Sequence, residues 1–169
     1  KIKMPDTAQI QNLNWINEPT FVNSLSSRSR KHFRKDIVPF LGKVEVKWKT
    51  KTCKHELDQI YQLYLNVKQN NLGLNTFAYP KNLFWAMNES DLWEFQCIYP
   101  KDNQEKLIGV MCCYNNNNTT FVPVLVGMDY EYVTKINSYR ILLYQTIKRA
   151  GEQGYKNIFM IAFDILGAR

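Results

Sequence analysis

Histidine and glycine are scarce in this sequence, whose 169 residues include two histidines and seven glycines. His32 and His55 lie far apart, and neither has a partner at the spacing of metal ligands on a helix, so we expect no metal site. The glycines form neither a P-loop nor a dinucleotide-binding fingerprint, and no Ser–His–Asp order is present. The sequence therefore disfavours kinases, dehydrogenases and serine hydrolases.

Long apolar runs and paired cysteine motifs are also missing. No apolar run approaches the ~20 residues of a membrane span, and no signal-peptide pattern opens the chain. The four cysteines have no CxxC spacing, which indicates buried free thiols in a reducing compartment. The neighbours Cys112 and Cys113 would point to opposite faces of a strand. We therefore expect a cytoplasmic protein without a membrane span.

The composition that is present is typical of a packed globular domain, with 45% hydrophobic and 14% aromatic residues. No internal repeat and no linker divides the chain, so we expect residues 1–169 to form a single domain. Because the first residue is Lys1 rather than Met, we expect a piece of a longer protein. Other domains of that parent protein are then candidate partners.

Basic charge is concentrated in one segment of the chain. The formal net charge is +7, which favours an anionic partner. Five basic residues crowd into eight positions: Arg28, Arg30, Lys31, Arg34 and Lys35. Three interpretations stay open for this cluster, namely a solvent-exposed helix face, a site for an anionic substrate or for phosphates, and a surface for nucleic acid such as transfer RNA.

Hydrophobic periodicity and turn residues predict a mixed α/β domain. In chain order, the predicted elements are helix in one or two pieces over 20–40, a strand over 44–49, a helix over 55–71, a short helix from Pro80 through Met87, strands over 93–99, 107–114 and 119–125, a helix over 137–153, and a strand over 157–163. The last three elements describe a crossover between parallel strands, with the polar stretch before the helix read as a loop. Unpaired amides at the start of that helix suit a phosphate or carboxylate, so we expect a ligand site between Gly127 and Tyr139.

Several separated strings sharpen this prediction. SLSSRSRKHFRKDI, YLNVKQNNLGLNTFAYPKNLF, VGMDYEYVTKINSYRILLYQTIKRAGEQGYKNI and the terminal LGAR resemble the FemAB-like branch of the GNAT-like acyltransferase superfamily, as does the order of the elements. The resemblance covers nearly the whole chain. It implies a central mixed sheet with an antiparallel meander and a parallel, splayed pair of strands, flanked by helices.

The resemblance also implies an activity, the transfer of an acyl group from a thioester donor to an amine. The donor would be acyl-CoA, acetyl-CoA or a carrier-bound thioester, with its arm in the gap between the strands 119–125 and 157–163. The implied donor contacts are Val124, Leu125, Val126, Asn137, Ser138, Tyr139 and Arg140. The segment GMDYEYVTKINSY has glycine only at Gly127, unlike the superfamily's usual phosphate loop with its spaced glycines.

Acyl transfer to an amine needs a proton acceptor and a proton donor. Glu94 is one candidate base because it interrupts an apolar strand; the alternative is an ordinary solvent-facing or edge-facing carboxylate. Asp129 would orient the amine and Tyr130 would protonate the leaving thiolate; the alternative for Asp129 is a loop-closing hydrogen-bond acceptor. The candidate substrate-binding residues are Arg28, Arg30, Arg34, Asn75 and Tyr79.

Two rival functions remain. A FemAB-type enzyme would use aminoacyl-tRNA as its donor, with the basic cluster as its binding surface. A non-catalytic binding module would keep the scaffold without the chemistry, because a fold alone does not establish activity.

Overall fold

A computed structural model describes residues 7–11, 13, 17–70, 77–116 and 119–161. The strands are β1 (Thr7–Gln11), β2 (Val44–Lys49), β3 (Trp93–Pro100), β4 (Gly109–Asn116), β5 (Thr120–Met128) and β6 (Asn157–Ile161). The helices are α1 (Glu18–Ser24), α2 (Ser27–Asp36), α3 (Val38–Leu41), α4 (Lys54–Asn70), α5 (Lys81–Glu89), α6 (Tyr130–Ile136) and α7 (Ser138–Glu152). None of the described helices is long and apolar enough to cross a membrane.

The strands form one mixed sheet in the order β1-β6-β5-β4-β3-β2. Strands β2 to β5 pair antiparallel in succession, which gives the expected meander. Helices α6 and α7 connect β5 to β6, and these two strands pair in parallel. The predicted mixed α/β class is therefore confirmed.

Helices cover both faces of the sheet. Helices α4 and α5 pack on one face, where apolar residues recur along α4 at helical spacing and Trp93, Phe95, Cys97 and Tyr99 alternate along β3, as expected. Helix α7 packs on the other face, where Ile141 and Leu142 are fully buried. Cys112 and Cys113 contribute to opposite faces, as predicted from their adjacency.

The helices α1 to α3 pack against the outer side of α7. The sequence predicts one or two helical pieces here, but local capping divides the segment into three. Ser26 accepts a hydrogen bond from the Ser29 N–H and so starts α2, while Pro39 lies in the first turn of α3, where proline is tolerated. Phe21 and Phe33 contact Tyr144 of α7 and hold this layer in place.

Three features differ from the prediction. Strand β1 was not predicted, and it pairs antiparallel with β6 along the sheet edge. Helix α6 replaces the predicted polar loop, because the Asp129 side chain caps its first turn. The predicted burial of all four thiols is wrong at Cys53, which is exposed near the start of α4. The predicted strand end at 162–163 lies outside the described residues.

Candidate functional site

Strands β5 and β6 diverge soon after they begin. Among the described residues, they pair only at Thr120 with Asn157 and at Phe121 with Ile158. Beyond these positions, β5 continues to Met128 and β6 continues to Ile161 without pairing to each other, while β6 stays paired with β1. The sheet therefore opens between two parallel strands, toward their carboxyl ends.

A β-bulge lies on β5 where it borders this opening. Cys113 of β4 pairs with Pro123 and Cys112 pairs with Leu125, so Val124 is the extra residue without a ladder partner. Proline has no N–H to donate, and a bulge is one of the few places where a strand accepts it. Val124 and Leu125 both contact the core beneath α4, whereas Val126 contacts the core beneath α7. The three residues expected to meet the donor thus lie at and after the bulge.

The junction of α6 and α7 is a single left-handed residue, Asn137, with φ 53° and ψ 39°. Asparagine tolerates this conformation better than most residues, and here it ends α6 and begins α7 at once. The Asn137 side chain makes no capping hydrogen bond to α7. Ser138, the first residue of α7, is fully buried, and its hydroxyl has no hydrogen-bond partner among the described residues.

The next two residues of α7 face different surroundings. Tyr139 is half-buried against the α7-side core, and burial raises the pKa of its hydroxyl. Arg140 extends toward α2, where its guanidinium donates to the Asp36 carboxylate. The four residues expected to hold phosphates are therefore contiguous, but the Arg140 side chain already has an acidic partner.

Asp129 and Tyr130 lie together at the carboxyl end of β5. Asp129 accepts a hydrogen bond of 3.1 Å from the Glu131 N–H and lies 3.2 Å from the Lys106 ammonium group. Tyr130 packs against the α7-side core, and burial raises the pKa of its hydroxyl. The Asp129 side chain thus accepts a hydrogen bond at the start of α6 and does not close a loop.

Glu94 lies apart from that pair. Glu94 of β3 pairs with Cys113 of β4, which in turn pairs with Pro123 of β5. Glu94 therefore lies toward the end of the sheet where β5 and β6 are paired. Along β5, Pro123 and Met128 are separated by roughly 17 Å, at about 3.3 Å per residue. The Glu94 carboxylate accepts a hydrogen bond of 2.9 Å from Arg149, so it is neither solvent-facing nor unpartnered.

The basic cluster on α2 surrounds an open concavity of about 470 Å³, lined by Ser27, Arg30, Lys31, Arg34 and Lys35. Arg30 also has a structural role, because its guanidinium donates to the carbonyl oxygens of Asn23 and Leu25 at 3.1 and 2.9 Å. These bonds fix the end of α1. Arg28 is exposed but does not line the concavity.

Tyr79 lies on the opposite face of the sheet, beside α4. Its N–H donates to the Tyr64 hydroxyl at 2.9 Å, and its carbonyl accepts from the Tyr61 hydroxyl at 3.3 Å. Phe77 is largely exposed and meets the Tyr79 ring edge-on. Asn75, the other substrate-binding candidate of this segment, lies outside the described residues.

Sequence reasoning missed a charged cluster centred on Glu56, in the first turn of α4. Its carboxylate accepts hydrogen bonds from the Lys49 ammonium group at 2.6 and 2.8 Å and from the hydroxyls of Thr52 and Tyr99. The cluster borders a cleft of about 460 Å³. No local sequence motif predicts this cluster, because Lys49 and Tyr99 are 50 residues apart. Within the described part of the chain, no three His, Cys, Asp or Glu side chains gather as metal ligands.

No protein-family model and no curated protein matches this sequence. Solved structures do match. L-PGS from Bacillus licheniformis superposes with a TM-score of 0.63 at 12% identity, over 98% of this chain and 48% of that one. A conserved protein of unknown function from Bacteroides thetaiotaomicron gives 0.57 at 16% identity, over 90% and 52%. N-myristoyltransferase from Saccharomyces cerevisiae, with bound myristoyl-CoA, gives 0.52 at 15% identity, over 91% and 40%.

The chain spans about half the length of the structures it matches. At such low identities, the likeness concerns the fold. The GNAT-like fold expected from the sequence is confirmed by these neighbours together with the six-stranded mixed sheet and its single parallel pair.

Proposed function

We propose that this chain is an N-acyltransferase domain that transfers an acyl group from a thioester donor, acyl-CoA or a carrier-bound thioester, to an amine. The observation that supports it most is the divergence of β5 from β6 after two paired positions. An extended thioester arm fits an opening between parallel strands, where backbone groups of a bulged strand are available. Membership of the FemAB-like branch and a cytoplasmic location belong to the same proposal.

In this proposal, the donor arm lies along Val124, Leu125 and Val126. Its phosphates meet the start of α7, from Asn137 to Arg140, where unpaired amides and the positive end of the helix dipole favour an anion. Asp129 and Tyr130 lie at the same end of β5 as this helix start, whereas Glu94 lies at the other end.

The amine nitrogen attacks the thioester carbon, so a C–N bond forms while the C–S bond breaks. Asp129 accepts the proton that the amine loses, and Tyr130 donates a proton to the leaving thiolate. Burial raises the pKa of Tyr130, which keeps its hydroxyl protonated at neutral pH and available for that transfer. Both carboxylates are ion-paired, Asp129 with Lys106 and Glu94 with Arg149, and Glu94 ranks behind because its side chain is the less exposed of the two.

The first experiment measures thioester binding by calorimetry and by thermal shift, using acetyl-CoA, longer acyl-CoAs and free CoA. A ligand that binds the folded state raises the melting temperature. Asn137→Asp adds negative charge at the start of α7 with little change in shape, so acyl-CoA affinity should fall at least about tenfold. Asn82→Asp makes the same change in the first turn of α5 and should leave affinity unchanged.

The second experiment measures the thiol released from acyl-CoA in the presence of an amine panel. Asp129→Asn keeps a capping side chain but removes the base, so kcat should fall by about 10²-fold or more. If neither CoA thioesters nor carrier-bound thioesters bind the unmodified protein, the proposal is wrong. Thioester binding without transfer to any amine would instead support a non-catalytic module.

A second candidate keeps the scaffold but takes the acyl group from aminoacyl-tRNA. The basic concavity on α2 favours it, since clustered Lys and Arg side chains neutralise phosphates. Arg34→Glu should then abolish transfer RNA binding, whereas Arg28→Glu, outside the concavity, should reduce it far less. Affinity should also fall steeply with salt. Unchanged binding in Arg34→Glu would exclude this surface.

A further inference from the structure

An apolar cavity lies between the layer of α1 and α2 and the outer side of α7. Its volume is about 270 Å³. Its apolar walls come from Phe21, Leu25, Phe33, Ile37, Leu143 and Ile147, and Tyr144 adds a ring. No acidic side chain lines it among the described residues.

The aromatic rings that join the two layers do not fill this space. Phe21, Phe33 and Tyr144 contact one another, with ring centroids 5.0 to 6.2 Å apart. The Tyr144 hydroxyl donates to the Glu18 carboxylate, which holds that ring toward α1. The rings thus brace the helices apart on one side and leave an unfilled space on the other.

An unfilled apolar cavity favours the binding of apolar ligands. Protein interiors are close-packed, and the walls of a cavity lose dispersion contacts that a guest restores. An engineered apolar cavity of about 150 Å³ stays dry and binds benzene. The cavity beside α7 is larger and opens to solvent at its rim, so it has room for a flexible hydrocarbon chain.

The rim of the cavity is polar, in contrast to its apolar walls. Ser29, His32 and Arg140 line it there, and the side chains of His32 and Arg140 are 54% and 44% exposed. Asp36 contacts both, accepting from the Arg140 Nη1 and lying 3.1 Å from the His32 ring. A guanidinium has five N–H donors, so Arg140 can keep Asp36 and also meet a second carboxylate.

We propose that this cavity binds the hydrocarbon chain of a medium-chain alkyl carboxylate, with the head group at Arg140. The apolar walls match the hydrocarbon chain, and the guanidinium N–H groups of Arg140 that Asp36 does not use match the carboxylate. The apolar walls are separate from the opening between β5 and β6, because Leu143 and Ile147 of α7 line the cavity, whereas Ile141, Leu142 and Thr146 do not and are buried toward the sheet. The rim residue Arg140 also belongs to the proposed phosphate contacts. The proposed site stands whether or not the chain transfers acyl groups.

Calorimetric titration of the unmodified protein with butyrate, hexanoate, octanoate and decanoate tests the walls of the site. Affinity should rise about fourfold per added methylene until the chain outgrows the cavity. Decanol and decyltrimethylammonium test the rim, and both should bind more weakly than decanoate. No measurable binding of any carboxylate, or equal affinity for all chain lengths, would overturn the proposal.

Matched tryptophan substitutions locate the site. Leu143→Trp fills the cavity and should weaken decanoate binding at least about tenfold. Leu92→Trp makes the same change at an exposed turn and should leave affinity intact. If Leu143→Trp does not fold, Ile37→Trp fills the cavity from the opposite wall. Arg140→Met should lower the affinity for decanoate but not for decanol; equal loss for both would refute the head-group contact.

Discussion

A Cβ atom at Gly127 would lie 2.7 Å from the backbone nitrogen of Tyr64. Helix α4 crosses β5 at this point so closely that only glycine fits. Most of the atoms that an added Cβ would meet belong to the helix backbone, which cannot move aside as the end of a flexible side chain can. The sequence singled out Gly127 as the lone glycine of a phosphate loop. Its close approach to α4 gives it a packing role instead.

Gly127→Ala should therefore lower the free energy of unfolding by about 1–3 kcal/mol, because α4 must shift off the sheet. Gly42→Ala is the matched control. Gly42 has φ −72° with no atom within 4 Å of an added Cβ, so that change should be neutral or stabilise by about 0.4–1 kcal/mol. Urea unfolding of the two variants decides the matter, and equal stability would contradict the packing role.

The ion pair of Glu94 and Arg149 should behave as a structural pair. The Arg149 guanidinium also lies over the Trp48 ring at 5.1 Å, and its Nε is buried without a partner among the described residues. Removing the carboxylate leaves a partly buried charge, so Glu94→Gln should cost about 1–3 kcal/mol of stability.

A double-mutant cycle separates this pairing from catalysis. Glu94→Gln and Arg149→Met should be non-additive in unfolding free energy, and Glu94→Gln should reduce kcat no more than Arg149→Met does. A kcat loss confined to Glu94→Gln, with additive stabilities, would restore Glu94 as a base.

The cluster around Glu56 predicts a pH dependence. Burial by itself raises the pKa of Glu56, but hydrogen bonds from Lys49, Thr52 and Tyr99 outweigh it and hold the pKa below the usual 4.5. A carboxyl group with a lowered folded pKa stabilises the protein above its unfolded pKa, and that contribution disappears as pH falls through the folded pKa.

Glu56→Gln should therefore flatten the acid limb of the stability curve while lowering stability at neutral pH. Glu89→Gln, at an exposed position, is the control. Unfolding free energies at neutral and several acid pH values test this, and parallel curves for the native protein and Glu56→Gln would show that the cluster carries no such linkage.

We expect one of the four cysteines to be reactive in the native protein and three to be unreactive. Cys53 is exposed, whereas Cys97, Cys112 and Cys113 are buried. Burial raises the pKa of Cys97 to about 12 and also raises those of Cys112 and Cys113, so these thiols are neither accessible nor ionised.

A disulfide reagent at mildly alkaline pH should label one thiol per native chain quickly and the others only on unfolding. Cys53→Ser should abolish the fast phase and leave the slow phase. More than one fast thiol in the native protein would mean that the sheet core opens.

Periodicity predicted the parts of the fold that depend on local pattern. Strand alternation located β2 to β5, and the stripe from Leu57 to Val67 located α4, because burial on one face imposes the period of each element. Strand β1 was missed since five residues give too little alternation, and its partner β6 is distant in sequence. Helix α6 was missed because the polar stretch after β5 was interpreted as a loop, and Asp129 was considered as a loop-closing acceptor, not as a helix cap.

The candidate site, like the fold, was predictable from the sequence only in part. The divergence of β5 from β6 was implied by the resemblance to the GNAT-like superfamily, whereas the bulge on β5 was not predicted. The partners of individual side chains were not predicted either, because Glu94 meets Arg149 across 55 positions and Arg140 meets Asp36 across 104. Such pairings are fixed by tertiary packing, and residue spacing in the sequence does not predict them.

Among the described residues, strand β6 holds five paired positions with β1 but only two with β5. In chain order, β1 is the first of the described strands, yet it has nothing to pair with until almost every other described element has been made. The closing step of folding therefore joins early-made and late-made chain. A nascent chain must keep that first strand from pairing with the wrong edge until its partner arrives.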